Sequence, residues 1–404
     1  MEIAFYLALA LFAASIGYVL VASACVLNFR RRLINFAGPT KPRPGVTLYK
    51  PLHGLDFELK ENLLSFCEQD YPVFQIVFGV SDENDPAIAI VREVIAACPD
   101  VEMELVINNW SNGHNPKVSN LINMDGAAKY DLLIISDSDM RVEPDYIDRV
   151  VAGFDDDRIG LVTCLYKGTP APGLASSLGA MFINQWFTPS ALIPAAFGEM
   201  QHCFGATMAI KRSVLNEIGG LKALVSNLAD DYTLGKLVRK AGYRIHLGSV
   251  VVENIVEEAD VKSLVLHELR WARTIRSVEP LGFLSTFVTD AIPLAFLLSL
   301  LMFFSGFGWA WIIAPVIGAF IARILLHCST KATFSSKHPV SIWIIPVRDC
   351  LSLFVRLLCF TGRTVKWRNS ELSVDKGGEI NTLVSREEVD NEYKKDTVPE
   401  SPVL

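Results

Sequence analysis

The chain has 404 residues, a formal net charge of −7 and a mean hydropathy of +0.32. That length holds one sizeable domain with additions, the charge offers no basic footprint for nucleic acid, and the hydropathy is high for a wholly soluble protein. Eight cysteines, at 25, 67, 98, 164, 203, 328, 350 and 359, form no CxxC pair, which argues against a zinc site or a disulfide scaffold and for a reducing cytoplasm around the middle of the chain.

Ile3 to Phe29 carries no charge, a run long enough to cross about 30 Å of hydrocarbon. Arg30, Arg31 and Arg32 follow at once and mark that flank as cytoplasmic. A secretory signal peptide would place positive charge before the apolar run, and only Glu2 stands there. The sequence therefore predicts an uncleaved membrane anchor over residues 1–30.

From about 40 to 280, short β-rich runs alternate with helical patterns. Strands are predicted at 46–52, 75–82, 101–108 and 131–139, and helices at 58–71 and 85–98. Asp85 followed by Pro86 suits the start of the second helix. This order predicts an α/β domain with a mostly parallel sheet and helices on both faces. Ligands on such sheets bind at the carboxyl ends of strands.

"IISDSDM" (134–140) puts Asp137 and Asp139 at one such end. Paired carboxylates can hold a hard cation, Mg²⁺ or Mn²⁺, together with substrate phosphate. The D-x-D pattern is short, and a solvated loop is the competing reading. Asp85 either caps a helix or hydrogen-bonds a nucleotide. Lys117, near a turn, is either a diphosphate contact or a surface lysine. In "NLADDYTLGKLV" (227–238), Asp230 and Asp231 supply one acid for capping and one for chemistry. "FINQWFTPSALI" (182–193) is apolar enough either to lie on a membrane and shape an acceptor entrance, or to pack in the core.

"HELRWARTIR" (267–276) sets Arg270, Arg273 and Arg276 around Trp271. Such a stretch contacts headgroups, and the Arg–Trp pair also offers a bidentate phosphate ligand beside a flat ring. Ala291 to Ala322 is uncharged. It predicts two spans of about 20 residues, turning near Gly306–Phe307–Gly308, the first starting near Phe283 and tolerating Asp290. Ile342 to Phe360 contains Arg348, Asp349 and Arg356, which predicts a helix in the interface or packed on other helices. Membrane and interfacial helices thus occupy 281–365, and a polar, disordered tail covers 370–404.

The ordered set of Asp85, Asp137-x-Asp139, Asp230-Asp231-Tyr232 and Arg270-Trp271 resembles the membrane-bound GT-A glycosyltransferases of the family 2 type. It is most similar to glycosyltransferase family 21, the ceramide glucosyltransferases. "KPLHGLD" (50–56), "NLLSFCEQDYP" (62–72), "DPAIAIV" (85–91), "NPKVSNL" (115–121), "ISDSDMRVEPDY" (135–146) and "CFGATMAIKR" (203–212) carry the same likeness over roughly 40 to 290. The resemblance implies a Rossmann-like GT-A domain over 40–280 whose mostly parallel sheet binds a UDP-sugar, UDP-glucose first, with a divalent cation. Asp85 would serve the nucleotide, and Asp137 and Asp139 the sugar-nucleotide and its metal. Asp231 would be the base, and Arg270 and Trp271 would stand beside the diphosphate and acceptor. His267 occupies a position where that pattern has Gln or Arg; it can still donate to phosphate, with a charge that depends on pH. The acceptor implied is a membrane lipid, ceramide, and the catalytic domain would face the cytoplasm. Bacterial glycosyltransferases that add N-acetylglucosamine to a hopanoid polyol are also similar, which leaves that acceptor open and suggests a bacterial inner membrane. A processive polysaccharide synthase would need more membrane helices, and a non-catalytic relic would lack one of the acids.

Overall fold

The computed structural model describes residues 2–334, 341–362, 364–367, 370–374 and 377–382. Its centre is an eight-stranded mixed sheet, ordered β3-β2-β1-β4-β7-β6-β8-β5. The strands are β1 (Val46–Leu52), β2 (Phe74–Val80), β3 (Glu102–Ile107), β4 (Leu132–Ile135), β5 (Met140–Arg141), β6 (Ile159–Pro170), β7 (Met208–Lys211) and β8 (Arg244–Val256). β3, β2, β1 and β4 run parallel, as do β6 and β8. β7 is antiparallel to both β4 and β6, and β5 to β8. The antiparallel β7 lay outside the sequence reading, because "MAIK" is short and its neighbours are distant in sequence.

The helices are α1 (Glu2–Ile34), α2 (Leu59–Cys67), α3 (Ala87–Ala97), α4 (Pro116–Met124), α5 (Tyr146–Val151), α6 (Leu174–Phe182), α7 (Thr188–Phe197), α8 (Arg212–Glu217) and α9 (Asp230–Lys240). After them come α10 (Val261–Val278), α11 (Pro280–Ser285), α12 (Ala291–Phe304), α13 (Trp309–Phe334) and α14 (Ile345–Leu358). One apolar core lies between the sheet and α2, α3 and α5, around Leu63, Phe66, Ile76 and Val91. A second lies on the other sheet face under α4, α8 and α9. It continues without a break into Val19, Val26 and Phe29 of α1 and Ala319 and Leu326 of α13.

α1 and α13 are each long and apolar enough to cross a membrane. The expected first late span is bent by 66° between Pro280–Thr289 and α12. Asp290 sits at that break, nearly fully buried, where Arg356 of α14 donates to its Oδ1. α12 by itself is 14 residues long, about 21 Å at 1.5 Å per residue. α14 is built inside out. Arg348, Asp349, Ser352 and Arg356 are buried, while Val347, Phe354 and Leu357 are more than half exposed. Its charges are matched within the bundle. Arg348 donates to Glu268 of α10 at 2.6 and 2.7 Å, and Arg323 of α13 donates to Asp349 at 2.7 and 2.9 Å. Burial of charge is tolerated here because each partner is bidentate.

The segment expected to be an irregular tail contributes strands. β9 (Thr364–Trp367), β10 (Ser370–Val374) and β11 (Ile380–Thr382) form an antiparallel sheet. Its last strand is held by long-range backbone bonds, from Ile380 N to Ser226 O (2.9 Å) and from Leu228 N to Gly378 O (3.0 Å). A polar composition alone carries no sign of such docking. Residues 383–404 of the expected tail lie outside the described residues.

Candidate active site

β1 connects onward to β2 and β3 on one side, and β4 joins it on the other. The carboxyl ends of β1 and β4 therefore flank a topological switch point, the usual crevice for a ligand. β4 is shorter than the predicted strand and ends at Ile135. Ser136 N still reaches Tyr49 O at 3.1 Å, and then the chain turns away. Lys50, fully buried at the end of β1, donates through Nζ to the Asp137 carbonyl and lies 3.9 Å from the Phe66 ring centre. Burial pushes its ammonium down to about 7, against the opposing pull of Asp137, Asp139 and Asp56.

Asp139 faces the other way, toward β8. Its carbonyl accepts from Ile255 N at 3.0 Å and its Oδ2 from Asn254 Nδ2 at 2.7 Å. Burial, with Asp137 and Asp56 close by, pushes its carboxyl up to about 7. Three carboxylates thus repel one another in one crevice. That donor set, hard oxygens in excess of local positive charge, fits a divalent cation whose remaining ligands come from phosphate and water. Among the described residues no group of three or more His, Cys, Asp or Glu side chains is placed to hold a metal ion by itself.

Lys117 lies in the first turn of α4, which Asn115 caps by accepting from Val118 N at 3.1 Å. Its Nζ is 2.7 Å from Asp137 Oδ1 and 3.3 Å from Asp230 Oδ2. Burial works to lower the Lys117 pKa, and Asp137, Asp230 and Asp231 outweigh it, so the ammonium is held charged. Asp231 starts α9. Its Oδ2 accepts from Gly205 N at 3.1 Å and its Oδ1 from its neighbour Tyr232 N at 2.7 Å. Burial and Asp230 push its carboxyl up to about 6. Gly205 is the meeting point. A methyl group there would come within 3.1 Å of Asp137 Oδ2, 3.5 Å of Lys117 Nζ and 3.7 Å of Asp231 Oδ2.

Asp85 is nearly buried, and backbone N–H groups engage its carboxylate. Gly54 N donates at 2.9 and 3.0 Å, and Ala87 N at 2.8 Å. It ties the loop after β1 to the start of α3, the capping reading of Asp85. On α10, His267 Nδ1 is 2.8 Å from Glu258 Oε1. Its ring lies 4.4 Å from that of Trp271, which stacks on Phe182 at 5.8 Å. Burial, then Asp231, Asp139 and Asp137, raise the Tyr166 phenol above its ordinary value, and Arg270 opposes them. Tyr166 therefore lies within electrostatic reach of both the acids and Arg270.

Lys50, Asn254, Gly205, Tyr166 and Glu258 were not singled out from sequence. Lys50 had a legible signal, a lysine inside an otherwise apolar strand. Asn254 and Glu258 had none, because β8 reaches Asp139 only through the β5–β8 pairing.

Comparison with known proteins follows the same lines. The profile of glycosyl transferase family 21 matches residues 7–380. Ceramide glucosyltransferase 1 of Caenorhabditis elegans is 27% identical over 372 residues, covering 89% of this chain and 78% of that protein. The ceramide glucosyltransferase of Komagataella phaffii is 36% identical over 138 residues, 32% of this chain and 27% of the relative. Among solved structures, a mannosyltransferase from Pyrobaculum calidifontis in complex with GDP-Man and Mn²⁺ superposes with a TM-score of 0.51 at 20% identity, over 88% of this chain and 99% of that one. That likeness shows the GT-A fold. With a sheet of this topology, two membrane-length helices and a family match over most of its length, the chain belongs to glycosyl transferase family 21 and is a membrane glycosyltransferase.

Proposed function

We propose that this enzyme moves a hexose from a UDP-sugar, UDP-glucose first, to the hydroxyl of a membrane lipid such as ceramide, with inversion at the anomeric carbon. The observation that carries the reading is the convergence of Asp137, Lys117 and Asp231 about Gly205. It puts a candidate base and the acids at the end of β4 around one small space. Asp231 accepts the proton from the attacking hydroxyl, help typically worth ~10²–10⁴ in rate. Its raised pKa keeps it basic enough to do so while still ionised near neutrality.

Asp137 and Asp139 would hold a divalent cation, Mg²⁺ or Mn²⁺, which when bound offsets charge on the departing diphosphate. Arg270 adds a second positive charge there. Lys117 orients Asp137 and keeps Asp230 and Asp231 from repelling it. Asp85 shapes the loop that receives the nucleotide. Trp271 and Phe182 offer flat apolar surface to the acceptor, and His267, hydrogen-bonded to Glu258, sits at their edge. The lipid stays in the bilayer, while the sugar donor comes from the cytoplasmic side.

The test is a transfer assay with the purified membrane protein. Labelled UDP-glucose and UDP-N-acetylglucosamine are each offered with ceramide and with a hopanoid polyol. Glucosylceramide is the expected product. A glycosylated hopanoid would move the acceptor to the polyol, and a polymer would mean a synthase. No product from any pair would overturn the reading.

A further inference from the structure

Between α6 and α7 the chain forms a five-residue π-helical segment, Ile183–Phe187. Such segments carry one extra residue per turn and are frequent at functional sites. Here the segment divides two regions. On one side Phe187 stacks on Tyr166 at 4.5 Å, within electrostatic reach of the acids. On the other, Gln185 and Trp186 line a largely enclosed cavity together with Tyr18, Phe182, Thr289 and Asp290.

Arg323, Arg348, Asp349 and Ser352 complete the lining of the cavity, which is polar inside an otherwise apolar bundle. Gln185 is 5% exposed; its Nε2 pairs with His327 Nδ1 at 2.6 Å, and its Oε1 has no partner. Asp290 is 3% exposed; its Oδ1 accepts from Arg356, and its Oδ2 has no partner. Leaving a buried acceptor unsatisfied costs about 1–3 kcal/mol. Arg323 and Arg348, which also line the cavity, are engaged by Asp349 and Glu268, and Arg356 Nε is likewise without a partner, which leaves Gln185 Oε1 and Asp290 Oδ2 facing a space that one further hydrogen-bond donor would fill. The free space at its centre suits a single polar group rather than a sugar ring. Phe182, which lines the cavity, stacks on Trp186 at 4.7 Å and on Trp271 at 5.8 Å. A molecule reaching the cavity therefore also lies against the Arg–Trp element.

We propose that this cavity is a specificity subsite that takes a hydrogen-bond donor of the acceptor lipid, a secondary amide N–H close to its reacting hydroxyl. The inference rests on the lipid-acceptor reading above. Gln185 and Asp290 receive that donor, and Trp186 and Phe182 cover it with apolar surface. A lipid lacking the donor leaves both acceptors buried and unpaired, so it is selected against.

The test uses the full chain in lipid nanodiscs with UDP-glucose and two acceptors, ceramide and N-methylceramide. The wild type is expected to show an acceptor KM ~10-fold higher for the methylated lipid, the scale of one buried hydrogen bond. Gln185→Leu should raise the ceramide KM by a similar factor, leave the UDP-glucose KM unchanged and erase the difference between the two lipids. Gln185→Met, of similar length and volume, provides the same readout if the leucine variant fails to fold. Equal preference for ceramide in wild type and variant would overturn the subsite and leave the cavity to a fixed water. No transfer by the wild type to either lipid would instead overturn the lipid-acceptor reading, and the subsite with it.

Discussion

Lys117 Nζ stands 2.7 Å from Asp137 Oδ1 and 3.3 Å from Asp230 Oδ2, so one ammonium joins the acids after β4 to those that open α9. Its neighbours hold the Lys117 pKa above its usual value, so its stabilising effect is fully present at neutral pH and is lost only as pH rises through that value. Lys117→Met removes the shared partner of three carboxylates. The pair is partly exposed, so the loss should fall below the ~3–5 kcal/mol of a buried pair, and a denaturation curve will read it. The remaining acids then repel without relief, so the acid limb of the pH–rate profile should move to higher pH. An unmoved limb would show that Lys117 does not govern these groups.

Asp231→Asn should abolish turnover and spare UDP binding, measured by calorimetry. The pH argument is separate. The Asp231 carboxyl is raised to about 6, so activity that needs its ionised form should fall as pH drops through that value. A raised carboxyl favours the folded state at low pH and loses that advantage as pH climbs through the folded-state pKa. The asparagine variant should therefore have a higher Tm than the parent above about pH 6, with the gap closing in acid.

Gly205→Ala places a methyl group 3.1 Å from Asp137 Oδ2 and 3.7 Å from Asp231 Oδ2. The global fold has no reason to change, because Gly205 is not among the residues with positive φ. We expect near-native Tm with at least a tenfold lower kcat/KM. A variant with parental kinetics would mean that these groups do not close on one another during turnover.

Removal of divalent cations by a chelator should stop transfer, and Mg²⁺ or Mn²⁺ should restore it. Asp139→Asn deletes a buried charge that Asp137 and Asp56 oppose. The variant should keep its fold and need a higher cation concentration for half-maximal rate. The same cation dependence in both proteins would remove Asp139 from the ligand set.

Glu268→Gln leaves Arg348, one of the largest fully buried side chains, without its bidentate carboxylate. The expected loss is about 3–5 kcal/mol, read as lower thermal stability in detergent. Replacing both residues by apolar ones of similar volume should recover most of it.

Local chemistry determined much of this protein. An uncharged run followed at once by Arg30, Arg31 and Arg32 suffices to specify a membrane helix, because hydrocarbon excludes charge along its whole length. The alternation of β-rich and helical periods was enough for β1, β2, β3 and β4 and for α2 and α3, since each pattern buries one face. Asp137 and Asp139 were visible as acids ending an apolar strand. Tertiary structure alone decided the rest. β7 inserts antiparallel between β4 and β6 through pairings that no local period encodes. The bend at Asp290 depends on Arg356, which lies 66 residues away. The strands near 370–382 exist through bonds to Ser226 and Leu228. Lys117 read equally as a surface lysine or a phosphate ligand, and only the fold brought Asp137 and Asp230 to it. A side chain's partners are chosen by contacts distant in sequence, and the energy of a buried charge depends on those partners.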